Sequence, residues 1–396
     1  MKPGPPVSVH FHTGLILPLL PFVLLGAALL TGSKKTLVIE AARRDQTERL
    51  AALQAAPKGL PYGPFAVTRT PDVLLTDIRR HKDVLVTVTA PQTDGPFPVI
   101  VFSHGAGGDG TQNEPLLRWW ASNGYVVLSP THSDSLLWQQ RRSDLCDREG
   151  DASEGSTIGL QTVVHLTMRD PQSGVQRARD ISFVLNSLNT LEEAVPSLVG
   201  KMDRTRVGIA GNSLGACTAQ LVGGASVYVP GQTNPLSFRD RRAQAVLQLS
   251  GQGTGQQGMT KESWKAFPVP MMTVTGSEDR SASSYGPEWK KEPFEFSPAD
   301  GSKYLVFIQG AHSGCFSGRF TGRARRHQKR FTVLAGENMS QSPPINQKAI
   351  FSYVEQTTLD FWNMTLKNDA GAKAILNENA ALLAQQNGVT ATISHK

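Results

Sequence analysis

The sequence predicts an α/β protein with a mostly parallel central sheet covered by helices on both faces. Three observations carry that expectation. Continuous apolar runs such as Phe97-Pro98-Val99-Ile100-Val101-Phe102 and Tyr125-Val126-Val127-Leu128 suit strands buried on both faces. Amphipathic helical stretches alternate with these runs along the chain, the arrangement that builds parallel sheets. With 396 residues, of which 39% are hydrophobic and 18% charged, the chain has enough apolar material for a large core.

The elements follow in order. Gly14 to Gly32 is uncharged and largely apolar, lies between Lys2 and Lys34-Lys35, and is just long enough to cross a bilayer. Residues 1–33 therefore read as an export signal, with small residues Gly26-Ala27-Ala28 for cleavage, or as an uncleaved membrane anchor. Lys34, Lys35, Arg43 and Arg44 would hold the body on the cytoplasmic side of a retained anchor, a conflict that cleavage removes. Residues 34–64 read as a charged, Ala-rich linker helix and a turn-rich entrance, the turn residues running from Pro57 to Pro71.

The body is expected over residues 65–370. Its first half holds a strand at Val84 to Val88, a strand at Phe97 to Phe102, a helix at Leu116 to Asn123 and a strand at Tyr125 to Leu128. Its second half holds a helix at Val175 to Leu191, a strand at Val207 to Ala210 and a helix at Leu214 to Val222. Strands at Ala245 to Leu249, Met271 to Thr275 and Tyr304 to Ile308 precede a closing helix at Ala349 to Leu366, and 371–396 reads as a helix or tail. Ser133 to Pro171 is polar and aperiodic, either an insertion over the site or a surface excursion.

The net charge of +7 is uneven: Arg319 to Arg330 holds six basic residues in twelve and no acid. That run reads as a solvated loop or a contact for an acidic surface, and no nucleic-acid motif accompanies it, so no nucleic-acid partner is expected. Cys146, Cys217 and Cys315 are too few and too scattered for a disulfide scaffold or a zinc site. One bridge plus a spare thiol fits an exported protein, and the spacing does not choose the pair.

The chemistry centres on Gly211-Asn212-Ser213-Leu214-Gly215, a G-x-S-x-G pentapeptide between a buried strand and a helix. A serine hydroxyl is a poor nucleophile at neutral pH and needs a base, an orienting acid and donors for the developing oxyanion. Asp279 falls just past the strand ending at Thr275, and His312 lies in the loop after the strand ending at Ile308. Both, like Ser213, sit at carboxyl ends of strands, where sheets of this kind carry their sites. The small residues of Ser103-His104-Gly105-Ala106-Gly107-Gly108 let backbone approach a substrate carbonyl, so the oxyanion donors are assigned to the N–H groups of Ala106 and Leu214. Glu278 and Asp300 rival Asp279 for the acid. His104 is the rival base but reads as a brace for its own loop, and His132 reads as a pocket residue or a turn cap. Trp138 is the candidate aromatic wall of a substrate pocket, whereas Trp119 and Trp120 read as core. The scheme needs no metal and no organic cofactor.

Several stretches together resemble the α/β-hydrolase superfamily, in its branch of predicted dienelactone hydrolases and platelet-activating-factor acetylhydrolase-like esterases. They are Phe97 to Gly105, Arg177 to Leu185, Gly211 to Gly215, Thr275 to Asp279, Gly310-Ala311-His312 and Thr358 to Trp362, spread over residues 65 to 370. The resemblance implies an α/β-hydrolase fold and a cofactor-free serine esterase acting through an acyl-enzyme on a small-molecule or lipid ester. Ser213 would be the nucleophile, Asp279 and His312 its partners, and Ala106 and Leu214 the oxyanion amides. The chain departs from the pattern at Asn212, where the branch often has His, and at Ser213, where dienelactone hydrolases proper use Cys. The other expectations left open are a non-catalytic binding scaffold and, among enzymes, phospholipase-, polyester-hydrolase- or acyltransferase-type activity.

Overall fold

The computed structural model describes residues 63–136, 166–168, 170–281, 283, 285–318 and 346–396. The apolar stretch 14–32, the linker, Trp138 and Cys146 with most of the polar 133–171 region, and the basic run 319–330 lie outside the described residues.

The strands are β1 (Val67–Asp77), β2 (Lys82–Pro91), β3 (Phe97–Ser103), β4 (Val126–Thr131), β5 (Met202–Asn212), β6 (Ser226–Val227), β7 (Leu236–Ser237), β8 (Ala243–Leu249), β9 (Met271–Gly276), β10 (Lys303–Ile308) and β11 (Ala391–His395). Nine of them form one sheet in the order β1-β2-β4-β3-β5-β8-β9-β10-β11, and β6 and β7 pair separately. From β4 to β10 every neighbouring pair is parallel. The flanking pairs β1·β2, β2·β4 and β10·β11 are antiparallel.

The helices are α1 (Glu114–Ser122), α2 (Pro171–Asn186), α3 (Leu188–Ala194), α4 (Leu214–Gly223), α5 (Pro287–Glu295), α6 (Gln347–Leu366), α7 (Ala370–Glu378) and α8 (Ala380–Gln386). Successive strand residues supply two cores because side chains alternate across the sheet. Val99 and Val101 join the core formed with α2 and α4, while Ile100 and Phe102 join the core formed with α1 and α6. The same split runs through β8, where Val246 faces one core and Ala245 and Leu247 face the other. This two-sided burial explains why the strands read as unbroken apolar runs. Trp119 and Trp120 are core, as expected, their indole N–H groups donating to Glu355 O at 2.8 Å and Thr358 Oγ1 at 3.0 Å.

Three expectations need correction. Residues 67–71, assigned to the turn-rich entrance, begin β1; a register shift between Thr70 and Val73 accommodates Pro71 and Asp72, with Asp72 at φ 53°. The single helix expected from Val175 to Leu191 is two: α2 starts earlier, with Pro171 in its first turn and Asp170 accepting the Gln172 N–H at 3.0 Å, and the chain turns at Ser187. The tail ends in β11, whose Ala391 and Ile393 pack on the second core while it pairs with β10.

Candidate active site

The elbow is built by a steric requirement on two glycines. Ser213 follows the last residue of β5 and caps α4 with φ 54° and ψ −120°, a conformation that L side chains rarely adopt. A Cβ on Gly211 would overlap the carbonyl oxygen of Gly215. A Cβ on Gly215 would overlap the Ser103 carbonyl oxygen, 2.5 Å from that carbonyl's carbon and 2.7 Å from His104 O. The pentapeptide therefore needs its glycines because the turn folds back on itself and on the end of β3. The Ser213 side is partly exposed, whereas all of α4 is buried.

The Ser103–Gly108 loop lies against this elbow: a Cβ on Gly105 would come within 3.6 Å of Asn212 O. Three of the four N–H groups from Gly105 to Gly108 are committed. Gly105 donates to Gln112 Oε1, Gly107 to Asp134 Oδ2 at 3.0 Å and Gly108 to Gly105 O at 3.1 Å. Among the described residues the Ala106 N–H has no acceptor. The second assigned donor, the Leu214 N–H, meets Gln252. With its amide oriented to satisfy both neighbours, Gln252 accepts from Leu214 N at 3.2 Å and donates to Ser213 O at 2.9 Å. Gln252, 1% exposed after the end of β8, carries no signal in the sequence and was missed.

A relay of backbone and side-chain hydrogen bonds links Ser213 to the other candidates across adjacent strand ends. The Ser213 N–H donates to Leu249 O at 2.9 Å, and the next residue, Ser250, donates its hydroxyl to Asp279 Oδ1 at 2.8 Å. Beside Asp279, the Glu278 N–H donates to Ala311 O at 3.1 Å, which places His312 next in line. Asp279 is fully buried, its second oxygen accepts from Thr275 Oγ1 at 2.8 Å, and Lys290 Nζ lies 3.8 Å from its Oδ1. Burial holds His312 below the ordinary imidazole range, opposed by the charges of Asp279 and then Glu278. Among the described residues no hydrogen bond joins His312 to Asp279 or Ser213. Its Nδ1 accepts the Gly314 N–H at 3.1 Å, and its Nε2 lies 3.4 Å from Gln347 Nε2. Asp300, the other acid candidate, lies at the opposite end of β10 and binds Lys303 at 2.7 Å.

His132 is not a pocket residue. It is fully buried, with Nδ1 2.9 Å from Asp180 Oδ2 and Nε2 2.8 Å from Ser103 Oγ, so neither ring nitrogen is left for a substrate. Burial and then the Arg177 charge lower it to about 4, against the pull of Asp180. Burial disfavours the Asp180 anion, but the His132 hydrogen bond and Lys82 more than offset it, and Arg80 adds a 2.7 Å contact. His104 braces its loop, as the sequence suggested: Nε2 accepts the His132 N–H at 3.0 Å, and Nδ1 lies 2.7 Å from Gly105 O. The participation of Arg177, Asp134 and Asp180 was not foreseen from the residues, although Arg177 to Leu185 carried part of the family resemblance.

Asn212 donates to Asn113 Oδ1 at 3.4 Å, and its own Oδ1 is buried without a partner among the described residues. Among the described residues Cys217 and Cys315 form no disulfide, and burial raises their buried thiols to about 12 and about 11 respectively. Among the described residues no group of His, Cys, Asp and Glu could hold a metal ion, and no helix is long and apolar enough to cross a membrane.

Residues 81–228 match the profile of the family described as platelet-activating factor acetylhydrolase, isoform II. The match takes in the Ser103–Gly108 loop, the buried histidine network and the Ser213 elbow, and stops short of Asp279 and His312. A search of curated proteins gives no match. The strand order, the helices on both faces and this match together give the chain an α/β-hydrolase fold, similar over residues 81–228 to platelet-activating factor acetylhydrolase, isoform II.

Proposed function

We propose that the chain is a serine-dependent carboxylic-ester hydrolase acting on a small or lipid-like ester through an acyl-enzyme. The observation that carries this reading is an Ala106 N–H without an acceptor among the described residues, on a loop packed against the turn that holds a partly exposed Ser213 at φ 54°. The match to an acetylhydrolase family supports ester chemistry.

In the proposed reaction His312 turns its ring from the Gly314 N–H, presenting Nδ1–H to Asp279 and Nε2 to Ser213. Such contacts commonly tighten only with substrate in place. Nε2 takes the hydroxyl proton as Ser213 Oγ attacks the ester carbonyl carbon. The carbonyl oxygen, now negative, accepts the Ala106 N–H and the Leu214 N–H, which Gln252 releases. The C–O bond to the leaving group then breaks, and the alkoxide takes the proton from Nε2. Water repeats the sequence on the acyl-enzyme and frees the acid and Ser213. His312 serves as base because burial keeps it neutral at pH 7. Asp279 stabilises the imidazolium and fixes its tautomer.

Labelling with a fluorophosphonate probe, followed by a chain-length series of p-nitrophenyl esters, tests the reading. Wild type is expected to label and Ser213→Ala to remain blank. A folded wild type that stays unlabelled ends the proposal, and a labelled Ser213→Ala moves the nucleophile elsewhere. We also propose export or membrane attachment, supported by the apolar stretch 14–32. Recovery of the mature protein with its original Met1 from a membrane-free cytosolic fraction would refute it.

A further inference from the structure

The same buried cluster that removes His132 from the pocket bears directly on the oxyanion donor. Arg177 is 2% exposed and forks onto Asp134, Nε to Oδ1 at 3.0 Å and Nη2 to Oδ2 at 2.7 Å. From the same guanidinium Nη1 donates to His104 O, and Nη2 donates to Gly105 O at 3.1 Å. Asp134 Oδ2 in turn accepts the Gly107 N–H at 3.0 Å. One ion pair thus grips the loop on both sides of Ala106, by carbonyls before it and by an N–H after it.

The grip has a directional consequence. Gly105 O and Ala106 N belong to one trans peptide, so the C=O and N–H point in opposite directions. Three donors converge on that carbonyl: Arg177 Nη2, the Gly108 N–H and His104 Nδ1. His104 is fixed as a donor there, because its Nε2 already accepts the His132 N–H, which leaves the ring proton on Nδ1. Holding Gly105 O in the buried network turns the Ala106 N–H outward from it. Charge-assisted donation to the carbonyl also polarises the amide and strengthens its N–H as a donor.

We infer that Arg177, braced by Asp134 and seconded by His104, is a positioning residue that presets and polarises the Gly105–Ala106 peptide for the oxyanion. The inference rests on the esterase reading. It adds a residue that touches no substrate and a route, through one peptide plane, by which a buried cation acts on the reacting oxygen. A Lys at 177 keeps the charge but lacks the planar fork, so it cannot hold the carboxylate and both carbonyls together.

The test is Arg177→Lys in the full chain, with Asp134→Asn as a second variant. Steady-state hydrolysis of p-nitrophenyl acetate is read alongside inhibition by an alkyl boronic acid, whose tetrahedral adduct places an oxygen where the oxyanion forms. Deuterium uptake of the 104–108 segment is measured in parallel. A misaimed donor is expected to cost roughly 10- to 100-fold in kcat. KM should stay near the wild-type value, boronate affinity should fall with kcat, and 104–108 should exchange faster while the elbow segment does not. Asp134→Asn should show the same pattern more weakly. A loss that merely tracks the fraction of unfolded protein, with boronate affinity per folded site unchanged, overturns the inference. So does wild-type exchange at 104–108 in Arg177→Lys. If wild type itself neither hydrolyses esters nor takes the fluorophosphonate, the esterase reading fails, and the exchange measurement still decides whether Arg177 holds the loop.

Discussion

Substituting Gly215 by Ala probes the close approach of the elbow to β3. A carbon–carbon contact needs about 3.5 Å. The added methyl would start 2.5 Å from the Ser103 carbonyl carbon, short by about 1 Å, and would overlap that carbonyl's oxygen. Neither side yields readily: Ser103 is paired with Gly211 in the parallel ladder, and α4 is buried along its whole length. Relief therefore requires the elbow and β3 to part by about 1 Å, and overpacking of this kind costs about 1–3 kcal/mol. The same displacement separates the Ala106 and Leu214 amides, and a shift of about 1 Å in a reacting geometry costs about 100-fold in rate. Urea unfolding followed by tryptophan fluorescence gives the first quantity, and the rate of fluorophosphonate labelling gives the second. Gly286→Ala is the control, because among the described residues its methyl would meet only Arg280 Nη1 at 3.6 Å. It should stay within about 0.5 kcal/mol of wild type. If Gly215→Ala matched the control in stability and wild type in labelling, the steric account of the pentapeptide would be wrong.

Acid should destabilise the fold through the buried histidines. His132 protonates near 4 when folded and near 6.5 when unfolded, so the unfolded chain binds the extra proton in between and stability falls as pH drops from 6.5 to 4. At about 1.4 kcal/mol per unit this amounts to roughly 3 kcal/mol, with His104, also lowered by burial, acting in the same direction. Unfolding midpoints that are equal at pH 7 and pH 4.5 would contradict this. The acylation rate should fall at low pH with a midpoint below 6.5, because burial lowers His312; a midpoint above 7 in a pH–rate profile would exclude His312 as the base. Asp279→Asn should lower kcat by roughly 100- to 10,000-fold, while Glu278→Gln and Asp300→Asn stay close to wild type. The opposite ranking of Asp279 and Glu278 would transfer the acid role to Glu278.

The parallel centre of the sheet was legible in the sequence because strands covered on both faces announce themselves as continuous apolar runs, as in β3 and β4. The edge strands were not. β1 contains Pro71 and exposes much of its length, and β11 alternates over only five residues, so neither carries a hydrophobic signal of comparable strength. At the candidate site, the positions at strand ends followed from local order along the chain: a serine between two glycines, an acid past β9, a histidine past β10. What could not be read were partners set by long-range packing. Gln252 reaches the elbow from the end of β8, and Arg177 reaches the Ser103–Gly108 loop from a helix 73 residues further on. Their residue types are ordinary, and only burial gives them a meaning. His132 misled for the same reason: a histidine past a strand end looks like a site residue until both its ring nitrogens are found engaged.

Ser103, His132 and Asp180 carry a further lesson. Hydroxyl, imidazole and carboxylate stand here 2.8 Å and 2.9 Å apart, the proportions sought when catalytic triads are recognised by shape. A template that scores only residue type and distance would select this trio and pass over Ser213, Asp279 and His312. Yet all three members are sealed from solvent, and the carboxylate is already claimed by Lys82 and Arg80. No acyl group can reach Ser103 Oγ, and no water could later release one. Grafting a triad into a new scaffold is therefore only half a design: unless the hydroxyl opens onto a path for substrate, the same geometry serves as a clasp.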